Sequence, residues 1–128
     1  MIHDSNSVPY RSEIQPKDEY LYAFVEGQDS FETSETFWFE LLEECKDKNY
    51  SKLLIEENLE GELSSSETYE LSVKLAKSDY KNLTVAFVDR QADHKDSNKY
   101  GETIVTNRGV RIKVFDDLDV AKQWLLAG

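Results

Sequence analysis

The sequence predicts a single α/β domain in which about five strands, most of them parallel, form a sheet covered by four helices. Apolar residues switch repeatedly between short continuous runs and stripes with a 3.6-residue period, which indicates strands that alternate with helices. Successive strand–helix units of this kind require right-handed crossovers between parallel strands. A chain of 128 residues can build one core, so we expect one domain over residues 1–128.

The first two strands form a predicted hairpin. Residues 8–14 alternate weakly between apolar and polar side chains and stop at a turn over residues 15–18, where Pro16 fixes φ. Residues 20–25 are apolar on both faces and predict a central strand that ends at Gly27. The preceding residues 1–7 are mostly polar, and we expect them to be flexible.

The first helix is predicted to begin in a cluster of capping residues. Asp29 and Glu32 have the spacing of a reciprocal cap. Other nearby residues can cap instead: Ser30, Thr33 and Ser34. Apolar positions then recur at helical spacing, so one stripe should face the sheet: Trp38, Leu41, Leu42 and Cys45.

The middle of the chain predicts a second strand–helix unit. Residues 53–55 form a short apolar run, typical of a strand covered on both faces, which ends at Glu56 and Glu57. Ser64 and Glu67 are spaced as a reciprocal capping pair at the start of the next helix. Its buried face is marked by Leu71 and Leu75, with a competing face at Tyr69, Val73 and Ala76.

The last third predicts two more strands and two more helices. Residues 83–88 form another strand that is apolar on both faces, and residues 110–114 alternate as an edge strand does. Between them we predict a helix over residues 93–108 that ends before a left-handed Gly109, although the polar segment 91–99 also fits a loop. The last helix is expected to begin at Asp116 or Asp117, where a carboxylate suits the helix dipole.

The acidic charge is concentrated in the first half of the chain and bears on which partners are expected. Residues 1–64 carry 16 acidic and 5 basic side chains, so the whole net charge of −11 lies there. Such a charge repels phosphate backbones and anionic lipid, so we expect no nucleic-acid partner. No apolar run is long enough for a membrane span, and the acidic start lacks the pattern of a targeting signal, so we expect a cytoplasmic protein.

Motifs that carry chemistry are missing from the sequence. It contains no phosphate-binding glycine loop, zinc helix, paired-cysteine motif or nucleophile elbow, so we expect no cofactor. Cys45 lies in a predicted buried stripe, so we expect it to fill the core. His94 lies in a polar segment, so we expect it to be a surface or capping residue. Carboxylates follow the predicted strands and could hold Mg²⁺, but solvated loop charges are the favoured interpretation: Glu26, Glu56, Glu57, Asp89 and Asp116.

Two C-terminal segments carry a resemblance to a known family. They are the turn and strand at residues 106–118, with Asn107-Arg108-Gly109 and Val114-Phe115, and the helix at 121–125 with its Ala-x-x-Trp-Leu pattern. The chain here resembles the bacterial sporulation-protein-AA-like (SpoIIAA-like) proteins of the STAS superfamily. The resemblance implies an α/β domain with an N-terminal strand paired to a mainly parallel sheet, and a non-enzymatic role in binding other proteins.

The resemblance also implies a site at the start of the second helix. In the anti-sigma-factor antagonists of this superfamily, a serine there is phosphorylated by a partner kinase, preceded by Asp and followed by Ser-Gly. The matching stretch carries Ser64, Ser65 and Ser66 without that Asp or Gly. We therefore expect a protein-binding module whose candidate partner-binding or phosphorylation residues are these three serines. The alternative is a carrier of a small apolar ligand, such as a lipid, in a cavity lined by the aromatic residues.

Overall fold

A computed structural model describes residues 10–128, so the expectation of a flexible segment 1–7 lies outside the described residues. In chain order, these residues form five strands and four α-helices. The strands are β1 (Tyr10–Pro16), β2 (Leu21–Gln28), β3 (Lys52–Glu60), β4 (Thr84–Asp89) and β5 (Arg111–Phe115). The helices are α1 (Phe31–Lys48), α2 (Ser65–Ala76), α3 (Lys95–Thr106) and α4 (Leu118–Ala127).

The sheet is mixed and has the strand order β1-β2-β3-β4-β5. The first pair is antiparallel and the other three pairs are parallel. This confirms the predicted hairpin, the parallel neighbours that contain Leu21, Leu53 and Val85, and the edge position of β5. The α/β class and the number of strands and helices are therefore as predicted.

Helices cover the two faces of the sheet unequally. The helices α1, α2 and α3 pack on one face, where their apolar residues join the inward residues of β2, β3 and β4 in a single core. Each right-handed crossover moves one strand further in the same direction, which places successive helices on the same side. The chain leaves β5 at the sheet edge, and α4 returns over the opposite face, where Ala121 and Leu125 pack on Leu54, Ala86 and Val88.

The helix starts follow the capping chemistry of the sequence. Ser30 caps α1 by accepting a hydrogen bond from the backbone of Thr33, which selects one of the alternatives at this end. Ser64 and Glu67 form the predicted reciprocal cap of α2, and Asp117 caps α4. None of the described helices is both long and apolar enough to cross a membrane.

Two segments contribute to the cleft described below, and the first of them differs from the prediction. The strand β3 does not end at Glu56 and Glu57 but continues through them to Glu60, because both β2 and β4 pair with it there. The polar segment 91–99 is a 3₁₀ turn at Ala92–His94 that continues into α3, so it is mainly helical. The predicted helix therefore begins close to the expected position, but His94 is buried.

Candidate functional site

A cleft of about 120 Å³ lies between the sheet and the helices α1, α2 and α3. It has a polar end at the carboxyl ends of the parallel strands, formed by Asp29, Glu57, Asp89 and His94. Its other walls combine apolar and polar side chains. The apolar ones are Trp38, Leu63, Leu71, Leu75, Phe87, Val105, Ile112 and Val114, and the polar ones include Glu62, Thr68, Ser72, Ser97, Asn98 and Glu102. Ligands of open parallel sheets bind in such positions, so the cleft is the candidate functional site.

Strand alternation brings the polar side chains together. Ile55, Glu57 and Leu59 share the face of β3 that the three helices cover, because side chains at every second position point the same way. Glu57 is the register partner of Asp89 on β4. Asp29 follows the end of β2, and its backbone N–H donates a hydrogen bond to the Glu60 carbonyl of β3 over 2.9 Å. Carboxylates from three neighbouring strands therefore meet at one end of the cleft.

The side chain of Asp89 is only 5% exposed and is well supplied with hydrogen-bond donors. It accepts from the backbone N–H of Gln91 over 2.8 Å and from Asn98 Nδ2 over 2.9 Å. Nδ1 of His94 lies 3.1 Å from the same carboxylate. A proton on Nδ1 makes this a donated hydrogen bond and leaves Nε2 as the free acceptor of the ring. Asp89 thus fixes both the imidazole and the first turns of α3.

Asp29 is partly supplied with donors. The hydroxyl of Ser34 donates to Asp29 Oδ1 over 2.6 Å. Burial nevertheless raises the pKa of this carboxyl, because the hydrogen bonds from Ser34 and the backbone of Ser30 only partly offset the loss of hydration. Asp29 is therefore a cleft residue and not the cap of α1.

The side-chain carboxyl of Glu57 differs from those of its neighbours because no residue in 10–128 donates a hydrogen bond to it, although only 7% of the residue's surface is exposed. Its backbone carbonyl accepts from the N–H of Arg90 over 2.8 Å. Burial raises its pKa well above the ordinary value, and the nearby carboxylates of Asp29 and Asp89 raise it further. Its side chain lines the cleft. Within residues 10–128 no side-chain oxygen is both fully enclosed and without a hydrogen-bond partner, so the Glu57 carboxyl reaches the open space of the cleft. Buried polar groups are almost always hydrogen-bonded, so this carboxyl is open to a partner that the described residues do not supply.

The adjacent Glu56 is a buried carboxylate that has hydrogen-bond and ion-pair partners. It lies on the opposite face of β3 and accepts a hydrogen bond from the Tyr22 hydroxyl over 2.5 Å. Arg90 Nε forms an ion pair with it over 2.7 Å, and the guanidinium also lies over the Phe24 ring. Glu56 and Glu57 are thus consecutive and equally buried, but only Glu56 has partners among the described residues.

The carboxylates that the sequence singled out do not form one site. Glu57 and Asp89 meet in the cleft, whereas Glu26 pairs with Arg11 and Asp116 lies near Lys95 on the surface. The interpretation of Glu56 and Glu57 as solvated loop charges is wrong, because both are buried inside a strand. The surface role expected for His94 is also wrong, because the ring is buried and hydrogen-bonded to Asp89. The alternative capping role holds only for its position, because His94 is the N-cap residue of α3 but makes no side-chain capping hydrogen bond. No group of three or more His, Cys, Asp or Glu side chains within residues 10–128 is arranged to hold a metal ion.

Ser64, Ser65 and Ser66 lie beside the mouth of the cleft and not inside it. All three are exposed, and the residues that flank them, Glu62, Leu63 and Thr68, line the cleft. The Ser64 hydroxyl accepts from the backbone N–H of Glu67 over 3.2 Å, and the Glu67 carboxylate accepts from the backbone N–H of Ser64 over 3.0 Å. The hydroxyl of Ser64 therefore has a structural role as a helix cap.

We expect Ser64→Ala to lower the free energy of unfolding by about 1 kcal/mol, because it removes one half of the capping box. The matched control is Ser65→Ala, one residue later, which should change stability by less than about 0.5 kcal/mol. Urea unfolding of both variants tests this. An equal effect of the two substitutions would show that the cap contributes nothing specific.

No protein-family model matches this chain, and no curated protein matches it either. The resemblance to STAS proteins therefore rests on the C-terminal residues given above. What the fold and the site establish is an α/β domain with a mixed five-stranded sheet and a cleft lined at one end by the Glu57 carboxyl, to which no residue in 10–128 donates a hydrogen bond.

Proposed function

We propose that this protein is a non-enzymatic binding module that holds a small organic ligand in the cleft. The observation that carries the proposal is Glu57, a buried carboxyl that lines the cleft without a hydrogen-bond partner in the described chain. A fully desolvated polar group without a partner costs about 1–3 kcal/mol, and a ligand that supplies a donor to the partly desolvated Glu57 carboxyl recovers part of such a cost on binding. Ligand binding would thus explain why the protein keeps a carboxyl that lowers its stability at this position.

The dimensions and walls of the cleft indicate the kind of ligand. A volume of about 120 Å³ corresponds to on the order of ten water molecules, so a molecule of several non-hydrogen atoms fits better than a whole lipid. The apolar walls suit a short hydrocarbon body, and Trp38 stacks on Phe87 there with ring centroids 5.8 Å apart. The proposed ligand is therefore amphipathic, with its polar group at the end that contains Glu57.

The proposal is tested by titrating 1-butanol into the isotope-labelled full chain and following amide shifts by NMR. We expect shifts that cluster at Leu71, Gly101 and Val105, on the two helices that line the cleft. Ser97→Phe, which places a large ring in the lining, should abolish them. Ser65→Phe makes the same change on an exposed residue outside the lining and should leave them intact. Absence of clustered shifts, or their survival in Ser97→Phe, would rule out the cleft as a binding site.

A second candidate function, a STAS-like interaction module, is supported by the exposed serines at the start of α2. It is also supported by the N-terminal strand that pairs with a mainly parallel sheet, which is the arrangement that the family resemblance implies. Phosphorylation of Ser65 would add about two negative charges at a helix N-terminus and beside Glu62 and Glu67. The expected cytoplasmic location and a basic protein partner belong to this proposal, given the acidic first half of the chain.

A pull-down that compares the unmodified chain with Ser65→Asp and Ser65→Ala tests the second candidate. If phosphorylation controls a partner, the alanine variant and the unmodified chain should recover equal amounts of it. The aspartate variant should recover a different amount. Equal recovery with all three proteins would remove Ser65 as a switch.

A further inference from the structure

We propose that the polar group of the ligand is a protonated organic amine, seated at the end of the cleft between Glu57, Asp29 and Asp89. This inference rests on the proposed ligand-binding function and adds the chemical class of the ligand. The ammonium group would donate hydrogen bonds to Glu57, while a short hydrocarbon chain would lie against the apolar walls.

The charges around the cleft favour a cation. Its described lining contains five carboxylates and no lysine or arginine; the carboxylates are Asp29, Glu57, Glu62, Asp89 and Glu102. The one basic group in the lining is His94, and its Nδ1 is already engaged with Asp89. An anionic ligand would meet like charge in a partly desolvated site, where electrostatic interactions are stronger than in water.

The carboxylates differ in what they can still accept. Asp89 has three contacts with potential donors, Glu62 accepts from Ser97, and Glu102 accepts from the backbone N–H of Val114. Glu57 has none in the described residues. The unmet hydrogen-bonding capacity is therefore located on the carboxyl that lies opposite Asp89 in the sheet register.

An ammonium group fits this arrangement better than a divalent metal ion. A metal ion needs several ligands at short, fixed distances, and no such group of side chains exists within residues 10–128. An alkylammonium group needs only directed acceptors, supplies three donors, and carries an apolar body that the opposite walls can bury. One buried acceptor beside two further carboxylates is sufficient for it.

Binding should release a proton when Glu57 is initially protonated. The amine enters with its charge, the Glu57 carboxyl loses its proton to the buffer, and the new ion pair keeps the carboxylate ionised. Affinity for the amine should therefore rise with pH in the range where unoccupied Glu57 titrates. The other titratable groups that face this end, Asp29, Asp89 and His94, are retained in the variant used below.

The experiment compares three probes of equal chain length, 1-butylamine, 1-butanol and butyrate, by NMR titration of the full chain. We expect butylamine to bind at least about tenfold more tightly than butanol, and butyrate to bind more weakly than either. Glu57→Gln should reduce the preference for the amine to about twofold or less and remove its pH dependence. The matched control Glu26→Gln removes the same charge from the opposite face of the sheet and should keep the preference.

The outcomes separate this inference from the proposed function. Equal binding of butylamine and butanol in the cleft would overturn the amine while leaving a ligand-binding cleft. An equal loss of preference in Glu26→Gln would also overturn it, because the effect would then come from general surface charge. If none of the three probes shifts residues of the cleft, the proposed function fails together with the inference.

Discussion

Glu57→Gln is expected to raise the free energy of unfolding by about 1–3 kcal/mol near pH 8, as measured by urea denaturation. Most substitutions at buried positions destabilise a protein, so a gain of this size would be unusual. The reason is that Glu57 is buried beside Asp29 and Asp89, which disfavours its charged form and raises its pKa. Glutamine has nearly the same shape but no charge to desolvate.

The gain should depend on pH in a defined direction. The folded protein retains the proton of Glu57 at pH values where the unfolded chain, with an ordinary pKa of 4.5, has lost it. Stability must therefore fall as the pH rises above this ordinary value and until the raised pKa is passed. The difference between Glu57→Gln and the unmodified protein should be small near pH 4.5 and largest at alkaline pH. A difference that grows toward acid pH would contradict the assignment.

Glu56→Gln provides the control from the next residue of the same strand. Its carboxylate is held by Tyr22 and Arg90, and removal of its charge weakens both contacts. We expect this variant to lose stability by about 1–2 kcal/mol near neutral pH. Opposite signs at two adjacent, equally buried glutamates would show that hydrogen-bond partners, and not burial alone, decide the effect. Equal signs would mean that the cleft does not single out Glu57.

The expected cost of Glu57 explains its place in the cleft. A leucine or methionine at this position would complete the apolar face of β3 between Ile55 and Leu59, so stability alone does not favour a carboxyl there. Local departures from good packing and polar satisfaction are typical of functional sites. The same residue is therefore expected to lower stability and to bind the ligand, and Glu57→Gln should separate the two properties.

The sheet could be predicted from the sequence because it depends on side-chain periodicity. The runs around Leu21, Leu53 and Val85 are short and apolar at consecutive positions, which is typical of a strand covered on both faces. The cap at Ser64 was equally predictable, because a capping box is a contact between residues close in sequence. Both features are local and need no knowledge of the tertiary structure.

The cleft could not be predicted in the same way, because it depends on contacts between distant residues. Glu56 and Glu57 look like the polar end of a short strand, and only the pairing of β3 with both neighbours extends the strand through them. His94 looks like a surface residue until the register places Asp89 beside it. The available signal was the pair of glutamates itself, since one of two consecutive strand residues must face the helices.

Asp89→Ala is expected to lower the free energy of unfolding by about 2–4 kcal/mol near neutral pH. The substitution removes the acceptor of the Gln91 backbone N–H and of Asn98, and it leaves His94 without its partner. Asp93→Ala, in the same connection but exposed, should change stability by less than about 0.5 kcal/mol and serves as the control. Urea unfolding measures both. If both variants lost a similar amount of unfolding free energy, the hydrogen bonds of Asp89 would contribute nothing specific to stability.

Asp89 also has an opposing effect, because its charge disfavours ionisation of Glu57. Removing Asp89 therefore relieves some repulsion while it breaks hydrogen bonds, and the measured loss is the difference between the two. In a Glu57→Gln background no repulsion is left to relieve, so Asp89→Ala should cost more there than in the unmodified chain. A double-mutant cycle near pH 8 measures this coupling, which should shrink near pH 4.5, where Glu57 is protonated in the folded protein. If the two substitutions change the free energy of unfolding by strictly additive amounts at both pH values, the two carboxyls do not interact. The electrostatic argument for a cation site would then fail.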